Sequence, residues 1–160
     1  MEYDPIKKDL GAFFNKSMFL RKLFYKLLDL LLLRTWHIHR ELRAWPKIKS
    51  GFTMLDAGSG FGQYSFYIAN RNTQCQIDAV DVKEEQIEDC GNFFKTCGLN
   101  NVNFSVGDLT QPHANNKYDL VLCVDVMEHI LEDVDVFTHF HRSMKSGAML
   151  LISTPSDQGG

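Results

Sequence analysis

Beyond residue 50, short apolar runs alternate with stretches whose apolar side chains recur every three or four positions. The runs fall at residues 54–57, 75–82, 102–106, 119–124 and 148–153. Most are short and nearly continuous, the pattern of strands buried on both faces, whereas 102–106 carries its apolar residues at alternate positions. Between them, helical spacing covers residues 63–70, 84–97 and 134–144. Glu84, Glu85, Glu88 and Asp89 gather toward the start of the second of these helices, where the dipole favours acids, and Gly98 follows as a left-handed cap. Strand and helix alternate throughout, which predicts an α/β doubly wound parallel sheet with helices on both faces. Ser146-Gly147 reads as the link from the last helix to the fifth strand.

The first 50 residues have a different pattern. Asp4-Pro5 is a helix start, and Gly11 interrupts that first helix. From residue 12 to residue 45 there is no Gly or Pro, and Phe13, Phe14, Met18, Leu20, Leu23, Phe24 and a leucine-rich run to Leu32 predict one or two long helices ending before Pro46. Arg21, Lys22, Lys26, Asp29 and Arg34 interrupt the apolar run, so it does not read as a transmembrane span. The chain thus divides into an N-terminal helical cap, residues 1–50, and an α/β domain, residues 51–160.

Strand one runs into Asp56-Ala57-Gly58-Ser59-Gly60-Phe61-Gly62, with a helix behind it. Such a turn lets the backbone approach a ligand closely and presents helix N–H groups to it. Its spacing, Asp-x-Gly-x-Gly-x-Gly, is not that of the dinucleotide fingerprint. A carboxylate at Asp56 would repel a pyrophosphate but can hold an ammonium, directly or through water.

Asp56, Gly58, Gly60 and Gly62 resemble the first motif of the class I S-adenosylmethionine-dependent methyltransferases, and the resemblance extends from about Phe52 to Pro155. It implies a Rossmann-like sheet of order 3-2-1-4-5, with the glycine turn against the methionine part of S-adenosylmethionine. Asp81, beside Val82, matches the acid about 20 residues past the turn, which the resemblance implies would take the ribose hydroxyls. Asp108 and Leu109 match the segment that meets the adenine. Val124 and Asp125 end the fourth strand, and Glu128-His129 lie in the loop beneath the transferred methyl. Arg40, in the helix before the first motif, is the candidate for the methionine carboxylate. The segment Asp125 to Ile130 is similar to that of ubiquinone and menaquinone biosynthesis methyltransferases, which implies methyl transfer to an O or C nucleophile of a small acceptor, hydrophobic in the quinone-like case. Members of the family continue past the fifth strand, so this chain reads as truncated there.

His129 is the candidate base, with Glu128 beside it, because a hydroxyl nucleophile needs its proton removed at the carboxyl edge of the sheet. His113, His139 and His141 have weaker claims. The bland reading is that His129 packs a short helix and Asp125 positions backbone.

At 160 residues, 44% hydrophobic and 23% charged, the chain suits one globular domain. Its net charge of −3 conceals an asymmetry: residues 1–50 carry eleven Lys or Arg against five acids, and the remainder six against fifteen. The basic segment is read as a cap packed on the sheet; the alternatives are an interfacial helix on a membrane with a lipidic substrate, or contact with an acidic protein. Its cations alternate with bulky aliphatics, which argues against nucleic acid. Cys75, Cys90, Cys97 and Cys123 lack metal-ligand spacing and read as reduced thiols of a cytoplasmic protein, with no metal site and no signal peptide. A non-catalytic scaffold of the same fold and, less favoured, a nicotinamide-dependent oxidoreductase are the competing functions.

Overall fold

A computed structural model describes residues 17–112 and 114–155. The expected features at Asp4-Pro5, Gly11, Phe13 and Phe14 lie outside these residues. The centre of the sheet is β1 (Thr53–Ala57), flanked in parallel by β2 (Gln76–Asp81) and β4 (Tyr118–Val124). β3 (Val102–Val106) extends the sheet beyond β2, and β5 (Met144–Ser153) beyond β4, giving the expected order β3-β2-β1-β4-β5.

Alternation along the strands divides the core in two. Met54, Ile77, Leu120 and Leu122 face one layer, packed with residues of α1 (Met18–Leu31), α2 (Leu33–Ala44), α3 (Gln63–Ala69) and α4 (Glu84–Thr96). Leu55, Ala57, Val80, Val121 and Cys123 face the other, covered by Val136 and Phe140 of α5 (Asp133–Ser143). Burying one such Leu or Phe is worth about 1.5–3 kcal/mol, so these two layers hold the strand ends in register around the turn.

Three local features refine the sequence reading, and the last departs from it. The N-terminal helical stretch divides at Leu32, whose φ of −97° and ψ of 108° are extended, although no Gly or Pro marks the break. Ser17 caps α1 through its Oγ, which accepts from the Leu20 N–H at 3.2 Å. β5 starts at Met144 rather than at residue 148: Tyr118 pairs with Met144 and Leu120 with Met149, so Ser146-Gly147 lies in a bulge within the strand, with Gly147 at φ +73°.

Helix α1 is tied to the glycine turn by a buried cation. Arg21 is only 2% exposed. Its guanidinium pairs with Asp89, donates to the Phe61 carbonyl at 3.1 Å, to the Tyr25 hydroxyl at 3.1 Å and to Cys90 Sγ at 2.9 Å, and lies 4.7 Å from the centre of the Phe93 ring. Burial pushes the Tyr25 hydroxyl up, so it stays protonated and donates to the same Phe61 carbonyl. Cys75, Cys90, Cys97 and Cys123 are all free thiols. Burial raises Cys90 and Cys123 to about 12, which keeps them protonated and unreactive at neutral pH.

Candidate functional site

A cleft of about 570 Å³ opens at the carboxyl ends of β1, β2 and β4, within the usual range of about 300–1,000 Å³ for small-molecule sites. A second concavity, of about 680 Å³, runs along the β3 edge against α4, away from the glycine turn.

The glycine turn is fixed by its backbone. The N–H groups of Gly58 and Ser59 both donate to the Val80 carbonyl, at 2.8 and 2.9 Å, and Gly62 N–H donates to Ser59 at 2.8 Å. Gly58 has φ +78°, and a Cβ there would sit 2.3 Å from Val126 Cγ2, so the fourth-strand loop can close against the turn only with glycine at this place.

Asp81 joins the turn to the end of β2. One of its carboxylate oxygens accepts from Gly60 N–H at 2.9 Å and the other from Lys83 N–H at 3.0 Å, and each keeps a lone pair for a further donor. Asp56 is 3% exposed and accepts from Ser65 Oγ at 2.6 Å. Burial, with Asp81 adding to it, raises Asp56 to about 6 against the hydrogen bond from Ser65. Asp108 accepts from both the N–H and the hydroxyl of Thr110, at 2.9 and 2.8 Å, which shapes the Gly107-Asp108-Leu109 wall. Asp125 stands at φ +54° and forms an ion pair with Arg34 at 2.6 Å, linking the start of α2 to the end of β4.

Of the residues expected at the site, Asp56, Gly58, Gly60, Asp81, Val82, Asp108, Leu109, Val124, Asp125 and His129 line the cleft. Gly62 does not; it caps α3 at φ +74°, and a Cβ there would crowd Phe94 at 3.2 Å. Two placements are corrected. Arg40 lies outside the cleft, bound to Glu41 at 2.8 and 3.0 Å and set over the Trp36 ring. It is six residues beyond Arg34, roughly 240° round the helix, so the two arginines cannot share a face. Glu128 also lies outside the lining, and its Oε2 accepts from Thr154 Oγ1 at 3.2 Å. His139 Nδ1 lies 3.4 Å from the Leu109 carbonyl oxygen, His141 is exposed on α5, and His113 lies outside the described residues.

Arg34, Tyr64, Lys83 and Glu132 line the cleft without having been expected there. Arg34 carried a weak signal as a cation within a leucine run, but its direction depends on the break at Leu32. Five carboxylates, of Asp56, Asp81, Asp108, Asp125 and Glu132, thus face a lining whose Lys and Arg residues are Arg34 and Lys83. Such a field favours a cationic ligand and opposes a pyrophosphate.

Residues 48–159 match the methyltransferase domain family. The chain belongs to that family. Its residues are 29% identical over 103 positions to malonyl-[acyl-carrier protein] O-methyltransferase 2 of Ilyobacter polytropus, covering 64% of this chain and 39% of that protein. Among solved structures, a SAM-dependent methyltransferase from Aquifex aeolicus superposes with a TM-score of 0.69 at 23% identity, covering 90% of this chain and 78% of that one. Coclaurine N-methyltransferase bound to N-methylheliamine and S-adenosylhomocysteine superposes with a TM-score of 0.64 at 19% identity, covering 83% and 35%. The fold is that of these methyltransferases. The chain spans 21–39% of the length of the curated relatives it matches.

Proposed function

We propose that this chain is the cofactor-binding part of an S-adenosylmethionine-dependent methyltransferase acting on a small acceptor. The observation that carries the reading is Asp81, which holds the glycine turn by one oxygen and the start of α4 by the other, within a cleft dominated by carboxylates. The residues present fit the cofactor: Gly58 leaves no room for a side chain, Asp81 retains lone pairs for ribose hydroxyls, and Asp56 supplies a buried anion for an ammonium. Val82, Leu109 and Val124 give the apolar walls, and Asp108 a polar edge for the adenine.

Arg34 takes the role expected of Arg40, that of meeting the methionine carboxylate, and must leave Asp125 or share its charge to do so. When bound, S-adenosylmethionine supplies an electrophilic methyl on a sulfonium whose leaving group is a neutral thioether. The protein's part is alignment and exclusion of water, with a base where the acceptor carries a proton. His129, in the cleft lining, is that base; Glu128 orients the loop through Thr154. The named relatives include both O- and N-methyltransferases, so the restriction to oxygen or carbon drawn from the loop sequence widens to an amine nitrogen. The N-terminal helices are proposed to make peripheral contact with a membrane.

Asp81→Ala tests the reading. Loss of charge-assisted hydrogen bonds should weaken S-adenosylhomocysteine binding by about 1.5–3 kcal/mol in a calorimetric titration. An unchanged affinity would remove Asp81 from the cofactor site.

A further inference from the structure

Helix α1 has two apolar sides, and only one is used by the fold. Tyr25 is buried in the core, and Leu28 and Leu32 line the cleft. Phe19, Leu23, Leu27 and Leu30 recur at i, i+4, i+8 and i+11, a single face, and all are exposed, Leu30 at 80%. Leu31 and Leu33 continue this surface round the corner at Leu32, and exposed Trp36 lies one turn further along α2.

Past the end of β4, Leu131 is 93% exposed, and Val134 and Phe137 of α5 are exposed. Leu32 and Ile130 line the cleft itself, and their chain neighbours Leu33 and Leu131 stand exposed at its mouth. Exposed apolar residues therefore adjoin two of the segments that line the cleft, where a soluble acceptor would need none.

Charge selects the occupant. Lys22 and Lys26 border the outward stripe of α1 on its helical wheel, and neither forms an ion pair among the described residues. Residues 17–50 carry eight Lys or Arg, of which Arg21, Arg34, Arg40 and Lys47 are paired with Asp89, Asp125, Glu41 and Asp119, leaving Lys22, Lys26, Arg43 and Lys49 outside ion pairs among the described residues. Glu132, Asp133 and Asp135 accompany the exposed apolar residues at α5, so the electrostatic anchoring falls to α1. Among the described residues no helix is long and apolar enough to cross a membrane, which leaves contact in the plane of the surface.

We propose that these two apolar surfaces seat the cleft mouth on an anionic lipid bilayer, and that the methyl acceptor is an amphiphile that enters the cleft from it. The second clause rests on the methyltransferase reading; the first does not. The acceptor's reactive head lies between Leu28 and Leu32 on one side and Val126 and Ile130 on the other, while its apolar tail remains in the lipid.

The test uses the full chain with vesicles of phosphatidylcholine, alone or mixed with phosphatidylglycerol. Cosedimentation is read together with tryptophan emission, in which exposed Trp36 responds and buried Trp45 does not. Retention should require phosphatidylglycerol, weaken with salt and shift the emission to the blue. Phe19→Glu/Leu30→Glu, both at exposed positions, should lower partitioning about tenfold or more with unchanged Tm and S-adenosylhomocysteine affinity. Lys22→Glu/Lys26→Glu should abolish retention on the vesicles that contain phosphatidylglycerol.

Absence of retention at low salt, or retention that Phe19→Glu/Leu30→Glu leaves intact, would overturn the docking. So would a dimer that those substitutions turn into a monomer, because the stripe would then belong to a second copy. Retention on vesicles without S-adenosylhomocysteine binding would uphold the docking and overturn the acceptor clause; the reverse result would overturn the docking and leave the methyltransferase reading standing.

Discussion

Arg21→Met removes a buried charged group that fastens α1 to the cofactor turn. Its guanidinium makes hydrogen bonds to Phe61, Tyr25 and Cys90 and an ion pair with Asp89. Methionine keeps most of the packing against Phe93 but leaves the Asp89 carboxylate without its partner. Breaking a buried pair costs about 3–5 kcal/mol. The Asp89 side chain is 33% exposed and can regain water, and Tyr25 still donates to Phe61, so about 3 kcal/mol is the working figure. For a chain of this size that corresponds to a fall in Tm of roughly 6–12 °C. Urea denaturation should show the loss with an unchanged m-value, and Asp89→Asn in the Arg21→Met background should cost much less than it does alone. At a temperature where the variant is fully folded, S-adenosylhomocysteine affinity should also fall, because the Gly60-Phe61 backbone loses its brace. A loss below about 1 kcal/mol, or one that adds fully to that of Asp89→Asn, would refute the coupling between the helical cap and the turn.

Arg34→Ala should weaken S-adenosylhomocysteine binding by about 1–3 kcal/mol, whereas Arg40→Ala, which breaks an exposed pair with Glu41 and a contact over the Trp36 ring outside the cleft, should leave it within experimental error; equal effects would undo the reassignment. Asp56 should give binding a pH dependence. Held at about 6, it loses its charge as pH falls through that value, so affinity should drop by up to about tenfold per pH unit below it, and Asp56→Asn should flatten the profile. The same raised value means that the folded state holds the extra proton, so this group favours folding at acid pH and ceases to do so as pH rises through about 6. His39 acts in the opposite sense. It stacks on Tyr67 with ring centres 3.5 Å apart, its Nε2 has no hydrogen-bond partner, and burial lowers it to about 4, against the pull of Asp29. The unfolded chain therefore takes up a proton first, and stability should fall from about pH 6.5 toward 4 by no more than about 1.4 kcal/mol per unit. Urea melts of His39→Leu across that window should show the slope reduced, and an unchanged slope would assign it elsewhere.

Much of this was legible in the chain because the physics is local. Most of the strands are apolar runs of a length that a parallel sheet requires, and the turn after β1 needs glycine where the backbone passes into positive φ and meets Val126. The acids at the strand ends were recognisable through the resemblance to methyltransferase motifs, which falls on Asp81 at the end of β2 and on Asp108 two residues past β3. What depends on orientation was not legible. The break at Leu32 lies in an unbroken leucine run with no Gly or Pro, yet it decides that Arg34 rather than Arg40 reaches the cleft. Glu128 and His129 are adjacent in sequence, but the short helical turn Met127–His129 leaves the first at Thr154 and the second in the cleft lining. The early start of β5 escaped because Ser146-Gly147 reads as a link and serves as a bulge. Apolar content alone did not separate the inward side of α1, with Tyr25, from the outward side, with Leu30, since both are apolar.

The central claim is that the carboxylate-lined cleft takes S-adenosylmethionine. Calorimetric titration of the chain with S-adenosylhomocysteine and, in parallel, with NAD tests it most directly. Binding of S-adenosylhomocysteine with a Kd of about micromolar order, some −8 kcal/mol, and no heat with NAD is the result predicted here. A folded chain that binds NAD, or that leaves S-adenosylhomocysteine unbound at millimolar concentration, would contradict the account.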